Sequence, residues 1–162
     1  RGRKDDMINL EAPPIILIAE DDPDDRLMMK EAFAEQCRAC RTYFAHDGAQ
    51  LMRILKDEER PPWEGSTLRT YPDLILLDLN MPLKDGRETL REIKSCTGLR
   101  TIPTIVMTTS ASEDDILDCY DRGANSYIVK PPSYSGLLDV VSSLTSYWAT
   151  TVTLPTRLKH YD

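Results

Sequence analysis

Short apolar runs alternate with longer amphipathic stretches along most of the chain. Ile15-Ile16-Leu17-Ile18-Ala19 ends in an acidic cluster, and Leu74-Ile75-Leu76-Leu77 ends at Asp78. Ile105-Val106-Met107, opened by Pro103, and Tyr127-Ile128-Val129 repeat the pattern, and Thr42 to Ala45 supplies a weaker copy. Nearly uniform apolar runs of this length predict strands buried on both faces. Between them, apolar residues recur at helical spacing. Met29, Ala32 and Phe33 predict a helix running to about Arg38, and Leu51, Ile54 and Leu55 one near 49–56. Leu90 and Ile93 mark a helix that follows Gly86 and ends by Gly98, and Ile116, Leu117 and Tyr120 one stopped at Gly123. A last helix spans about Tyr134 to Ala149, with Leu137, Val141, Leu144 and Trp148 as its core stripe. Pro23 suits a loop or first helical turn. Ser112, followed by Glu113, Asp114 and Asp115, makes a good N-cap with acids placed to favour the helix dipole. Residues 60–72, RPPWEGSTLRTYP, predict a long loop.

Five strands alternating with five helices predict an α/β fold: a doubly wound, five-stranded parallel sheet with helices on both faces. The 162 residues suit one domain over 13–150, a tail over 1–12 and an extension over 151–162. Apolar residues make up 41% and charged residues 29%, which excludes a disordered chain. No apolar run is long enough to cross a bilayer, and no basic leader with a small-residue cleavage site is recognisable. A cytoplasmic protein with no membrane association is expected. The net charge of −7 argues against a nucleic-acid partner, which would need clustered Lys and Arg. Cys37 and Cys40 form one CxxC near the end of a predicted helix, while Cys96 and Cys119 stand apart. Neither His46 nor His160 is placed to complete a zinc set, so four ordinary reduced thiols are expected.

In an open α/β sheet, ligands bind beyond the carboxyl ends of the strands, where strand order reverses. The predicted strand ends here carry Glu20 and Asp21, Asp78, Thr108 and Lys130. Three clustered carboxylates raise one another's pKa, and a Mg²⁺ ion with hard oxygen ligands relieves that. An Asp of ordinary pKa, about 3.9, is ionised at neutral pH and can attack phosphorus without a general base. Lys130 and the metal would neutralise charge on the transferring phosphoryl oxygens, and Thr108 would add a hydrogen bond.

The segments ILIAEDD, LILLDLNMPLKDG, IPTIVMTTSAS and GANSYIVKP resemble, in order, the motifs of the response-regulator receiver family, a flavodoxin-like fold. The resemblance covers about residues 13 to 150. It implies that Asp78 is the phosphoacceptor and Asp21 a direct Mg²⁺ ligand. Glu20 would support the metal through water, and the backbone carbonyl of Asn80 would complete the protein ligands. Thr108 would be the switch hydroxyl, Lys130 the phosphate-binding lysine and Tyr127 the aromatic that swings on activation. Lys130-Pro131 would be a cis peptide. The long loop from Glu59 to Pro72 and the apolar ending SYWATTVTLP resemble the small stand-alone regulators paired with bacterial and cyanobacterial phytochrome kinases.

The function expected is that of a single-domain response regulator in a two-component phosphorelay. It would take a phosphoryl group from a sensor histidine kinase, of the phytochrome type, and signal to an unnamed downstream protein. It would catalyse only its own Mg²⁺-dependent phosphorylation and dephosphorylation, and it would need no further cofactor. The acidic cluster taken alone could be a solvated helix entry, Lys130 a solvent-facing strand end and Tyr127 mere packing. The alternative is a metal-independent interaction module with a vestigial pocket. An aspartyl-phosphate enzyme would place a second acid where Asn80 stands, and a nucleotide-binding domain would show a glycine-rich loop after the first strand. Leu27, Met28 and Met29 exceed one core face, which suggests core packing or a kinase-docking patch. Val140, Tyr147 and Val152 lie outside the last helix's core stripe, and predict a homodimer through that helix and its extension.

Overall fold

A computed structural model of the chain describes residues 12–63 and 71–157. The expected tail, up to residue 11, and the last five residues of the extension lie outside the described residues. In chain order the elements are β1 (Ile15–Ala19), α1 (Pro23–Gln36), β2 (Arg41–Ala45), α2 (Gly48–Leu55) and β3 (Leu74–Leu77). They continue with α3 (Gly86–Ser95), β4 (Thr104–Thr108), α4 (Glu113–Asp121), β5 (Ser126–Val129) and α5 (Tyr134–Ser146). The strands form one parallel sheet in the order β2-β1-β3-β4-β5. The chain leaves β1 for β2 on one side and returns to β3 on the other, so the order reverses at the β1–β3 junction.

The apolar runs feed two cores because successive strand residues face opposite sides. Ile15, Leu17, Ala19, Ile75, Leu77 and Val106 join α2 and α3 on one face. Ile16, Ile18, Leu76, Ile105 and Met107 join α1 and α5 on the other. A side-chain cap begins each helix: Asp22, Asp47, Asp85, Ser112 and Ser133 accept backbone N–H groups at the starts of α1 to α5. Two glycines are demanded by geometry. A Cβ at Gly86 would fall 2.1 Å from the Asp78 carbonyl oxygen, so only glycine lets α3 start against the end of β3. Gly123 has φ +102° and turns the chain out of α4.

Several expectations are corrected. The α1 helix ends at Gln36 rather than near Arg38, because Cys37 leaves helical geometry. The turn into β2 folds back so tightly that the Cα atoms of Cys37 and Cys40 lie 5.4 Å apart, within bridging range, and a disulfide joins them. Only Cys96 and Cys119 are free thiols. The Lys130–Pro131 bond is trans, like the other peptide bonds of the described residues. The intrinsic preference is only about 0.5–1 kcal/mol, so the surroundings decide the isomer. In α4 the inward position is Cys119, while Leu117 is 69% exposed and Tyr120 about half exposed. The Tyr120 hydroxyl instead accepts the Tyr127 N–H at 3.1 Å.

The α5 helix stops at Ser146, and a π turn over Tyr147–Thr151 replaces its expected last turn. The extension then returns to the amino edge of the sheet. Leu154 is buried, and the Thr156 hydroxyl donates to the Asp73 carboxylate, which also accepts the Ile15 N–H at 2.8 Å. Trp63, in the long loop, is buried and tilts against Tyr43 on β2, with ring centroids 5.6 Å apart. Among the described residues no helix is long and apolar enough to cross a membrane.

Candidate phosphoacceptor site

The β1–β3 junction opens onto four loops, and the expected strand-end residues arrive there from the ends of β1, β3, β4 and β5. Glu20 directly follows β1, its N–H still donating to the Ala45 carbonyl of β2 at 3.0 Å. Asp21 comes next, and the Arg26 guanidinium folds back from α1 to hold the carbonyls of Glu20 (3.1 Å) and Asp21 (2.7 Å). Asp78 follows β3, with its N–H donating to the Ala19 carbonyl at 3.2 Å. Lys130 follows β5, and its N–H donates to the Thr108 carbonyl at 2.7 Å, which continues the β4–β5 pairing. Backbone ladders therefore aim the side chains.

Lys130 is the hub. Its Nζ donates to Glu20 Oε2 at 2.5 Å, Asp78 Oδ2 at 2.9 Å and Asp25 Oδ2 at 3.4 Å. The other Asp78 oxygen, Oδ1, accepts the Asn80 N–H at 3.1 Å. Asn80 also reaches the buried Thr108 hydroxyl, with Nδ2 to Oγ1 at 3.5 Å. Burial alone would push the Asp78 carboxyl up, but the Lys130 charge and hydrogen bond, with those from Glu20 and Asn80, hold it below its ordinary value. Burial dominates for Glu20, whose pKa rises to about 7 despite Lys130. Burial would lower Lys130, yet its bonds to Glu20 and Asp78 keep it above an ordinary lysine. Of the two buried carboxyls, Asp78 is therefore held towards its ionised form and Glu20 towards its protonated form, with the Lys130 cation between them.

Glu20, Asp21 and Asp78 can each offer an oxygen, all within 4.8 Å of one another. Three hard oxygen donors at that spacing fit a divalent cation, which would offset the cost of burying their charge. Glu20, Asp21, Asp78, Asn80, Thr108 and Lys130 thus share one pocket. Tyr127 stands one step away: it is half-buried, and its hydroxyl donates to the Ser110 carbonyl at 2.8 Å, two residues beyond Thr108. Sequence reasoning missed Asp25 and Arg26. The signal for Arg26 was present, since it is the cation that follows the run Glu20 to Asp25.

Residues 16–142 match the response regulator receiver domain. Response regulator Rcp1 of Synechocystis sp. is 38% identical over 143 residues, covering 88% of this chain and 94% of that protein. The chain belongs to the response regulator receiver family. The crystal structure of the phosphorylated cyanobacterial phytochrome response regulator RcpA superposes with a TM-score of 0.80 at 40% identity, over 89% of this chain and 99% of that one. The Mn²⁺-bound form of Rcp1 gives a TM-score of 0.77 at 38% identity, over 88% and 99%. A metal ion in that relative accords with the oxygen-donor set of this receiver domain.

The pocket carries a pH signature. A Glu20 pKa raised from 4.5 to about 7 means the folded state holds that proton more tightly than the unfolded state. Its stabilising contribution is complete below pH 4.5 and is lost as pH rises through 7. Without divalent cations, chemical unfolding should therefore show a decline on the order of 2 kcal/mol across that window. Glu20→Gln should flatten it. The same decline in the variant would show that Glu20 is not its source. Asp78 acts in the opposite sense, and its contribution is lost as pH falls through the acid range below 3.8.

Proposed function

We propose that this receiver is a phosphorylation-activated switch of a two-component phosphorelay, in which Asp78 takes a phosphoryl group from the phosphohistidine of a sensor histidine kinase. The supporting observation is the state of Asp78: ionised, buried and clamped between Lys130 Nζ and the Asn80 N–H at the sheet's reversal point. An Asp78 oxygen forms the new bond to phosphorus while the donor's P–N bond breaks and its electron pair stays on the imidazole. No general base is required, since the attacking group is already an anion. Lys130 moves with the transferring charge, from carboxylate to phosphoryl oxygen, and the Thr108 hydroxyl donates to another phosphoryl oxygen.

Mg²⁺ is the proposed cofactor, held by Asp21 and Asp78, the Asn80 carbonyl and, through water, Glu20. When bound it would neutralise charge on the phosphoryl oxygens. The chain would catalyse only its own phosphorylation and dephosphorylation. Phosphorylation adds roughly two negative charges, and Thr108 and Tyr127 would transmit that change to a downstream protein. The similarity to the cyanobacterial phytochrome response regulator RcpA and the bacteriophytochrome response regulator RtBRR supports a phytochrome kinase as donor, acting in the cytoplasm.

Two surfaces fit this role. On α1, Met29 is buried but Met28 and Leu27 are exposed, beside the helix start that carries Asp25 and Arg26, and this is where the kinase would dock. On α5, Leu137, Val141 and Leu144 enter the core, while Val140 and Trp148 pack partly against it. Val140, Leu144 and Trp148, with Ile128 and the exposed Tyr147, line an apolar groove of about 370 Å³. A homodimer would form across this groove. Leu154 and Thr156 are already engaged with their own sheet, so Tyr147 rather than the later extension would supply the contact.

Incubation with acetyl phosphate and Mg²⁺, followed by intact mass, should add one phosphoryl group to wild type and none to Asp78→Asn. An adduct in the variant, or none in wild type, would remove Asp78 as acceptor and bring forward the vestigial module. Met28→Lys should slow transfer from the cognate kinase about tenfold while leaving the acetyl phosphate reaction unchanged. Equal kinase rates would dismiss the α1 docking surface. Sedimentation at micromolar concentration, with and without beryllofluoride, should give a dimer that Tyr147→Lys weakens. A monomer in both conditions would end the dimer proposal.

A further inference from the structure

Outside the pocket, a chain of polar contacts joins the two loops that flank it. Arg87 lies on the first turn of α3, directly after the loop that carries Asp78 and Asn80. Its guanidinium donates to Asp115 Oδ1 on α4 through Nη2 at 2.7 Å and Nε at 3.2 Å. Nη1 of the same side chain donates to Asp85 Oδ2 at 3.2 Å, and Asp85 is the α3 N-cap. The second Asp115 oxygen accepts the Ser110 hydroxyl at 2.6 Å. Ser110 sits in the β4–α4 loop two residues after Thr108, and its carbonyl receives the Tyr127 hydroxyl. Arg122 donates to the Arg87 carbonyl at 3.5 Å while pairing with Asp118 at 2.8 Å, which supports the same side from α4.

We propose that Arg87 and Asp115 are positioning residues for phosphoryl capture: through Ser110 they hold the β4–α4 loop, and with it Tyr127, in the arrangement that presents the Thr108 hydroxyl to an incoming phosphoryl group. The inference rests on the phosphoacceptor reading of Asp78. The physical reason is preorganisation. A hydroxyl on the last residue of β4 can meet the phosphoryl oxygen only if the segment after it is fixed, and ordering that segment at the moment of transfer would slow the step. The bridge fixes it beforehand by tying it to α3, whose own start is locked by Asp85 and by the close approach of Gly86 to Asp78. Both members are partly shielded: the Arg87 and Asp115 side chains retain 27% and 23% of their exposure. Neither touches Asp78 or Lys130, so their effect must pass through Ser110 and Thr108.

The test uses the full chain with 3-fluorotyrosine incorporated, the Tyr127 resonance being assigned with Tyr127→Phe. Acetyl phosphate with saturating Mg²⁺ supplies the phosphoryl group, and intact mass reads the rate. Arg87→Ala and Asp115→Asn should each slow phosphorylation about fivefold, the scale of one lost hydrogen-bonded link. The double variant should be no slower than either single one, because one bridge is broken once. Each should also shift the Tyr127 fluorine signal towards solvent while the remaining tyrosines keep theirs, an effect that a general loss of stability would not produce. The reversed pair, Arg87→Asp with Asp115→Arg, should recover part of the rate. Single variants that react at the wild-type rate, or that leave the Tyr127 signal in place, overturn the proposal. A wild type that takes no phosphoryl group overturns the phosphoacceptor reading and this inference with it, so the two failures are distinct.

Discussion

The repulsion among carboxylates at the β1–β3 junction is the constraint around which the rest of the site is arranged. Glu20, Asp21 and Asp78 are brought together by backbone ladders that have no regard for charge. Buried like charges at this distance are costly unless a cation joins them. Lys130 supplies that cation from the end of the edge strand β5, and its three contacts draw the ends of β1, β3 and β5 and the start of α1 into one cluster. Arg26 does related work on the backbone, satisfying two carbonyls where the chain turns from β1 into α1. The negative charge left over is what suits this oxygen set to a divalent cation.

The core follows from the same economy of pattern. Because the sheet is covered on both sides, each short apolar run serves two cores, and a shift of one residue would exchange them. This is why the strands were legible from sequence: Leu74 to Leu77 and the other runs have almost no polar residue to misplace. The pocket was legible for a related reason. Once strand ends are known, a parallel sheet dictates which side chains meet, and Glu20, Asp21, Asp78, Thr108 and Lys130 could be paired from position alone.

What stayed hidden depends on contacts between segments whose separation has no period. Leu117 and Tyr120 fit a helical stripe, yet the inward face of α4 runs through Cys119, because the helix is rotated to let Tyr120 serve the edge of β5. The Cys37–Cys40 bridge depends on how sharply the turn after α1 closes, and two cysteines three apart do not specify that angle. The Arg87–Asp115–Ser110 chain joins three elements by charges that in sequence resemble ordinary surface residues. The return of Leu154 and Thr156 to the sheet is similar, since nothing near them names Asp73 as their partner.

That return has a mechanical meaning. Asp73 sits just before β3 and grips both the first residue of β1 and the returning chain. The amino end of the sheet is thus tied at one carboxylate, which joins β1, the residue before β3 and the returning chain. A strand of four or five residues is about 15 Å of stiff backbone, too short to bend appreciably. The amino end of the β1–β3 pair is thereby braced by side chains as well as by its ladder, at the end of the sheet opposite the loops that carry Asn80 and Ser110.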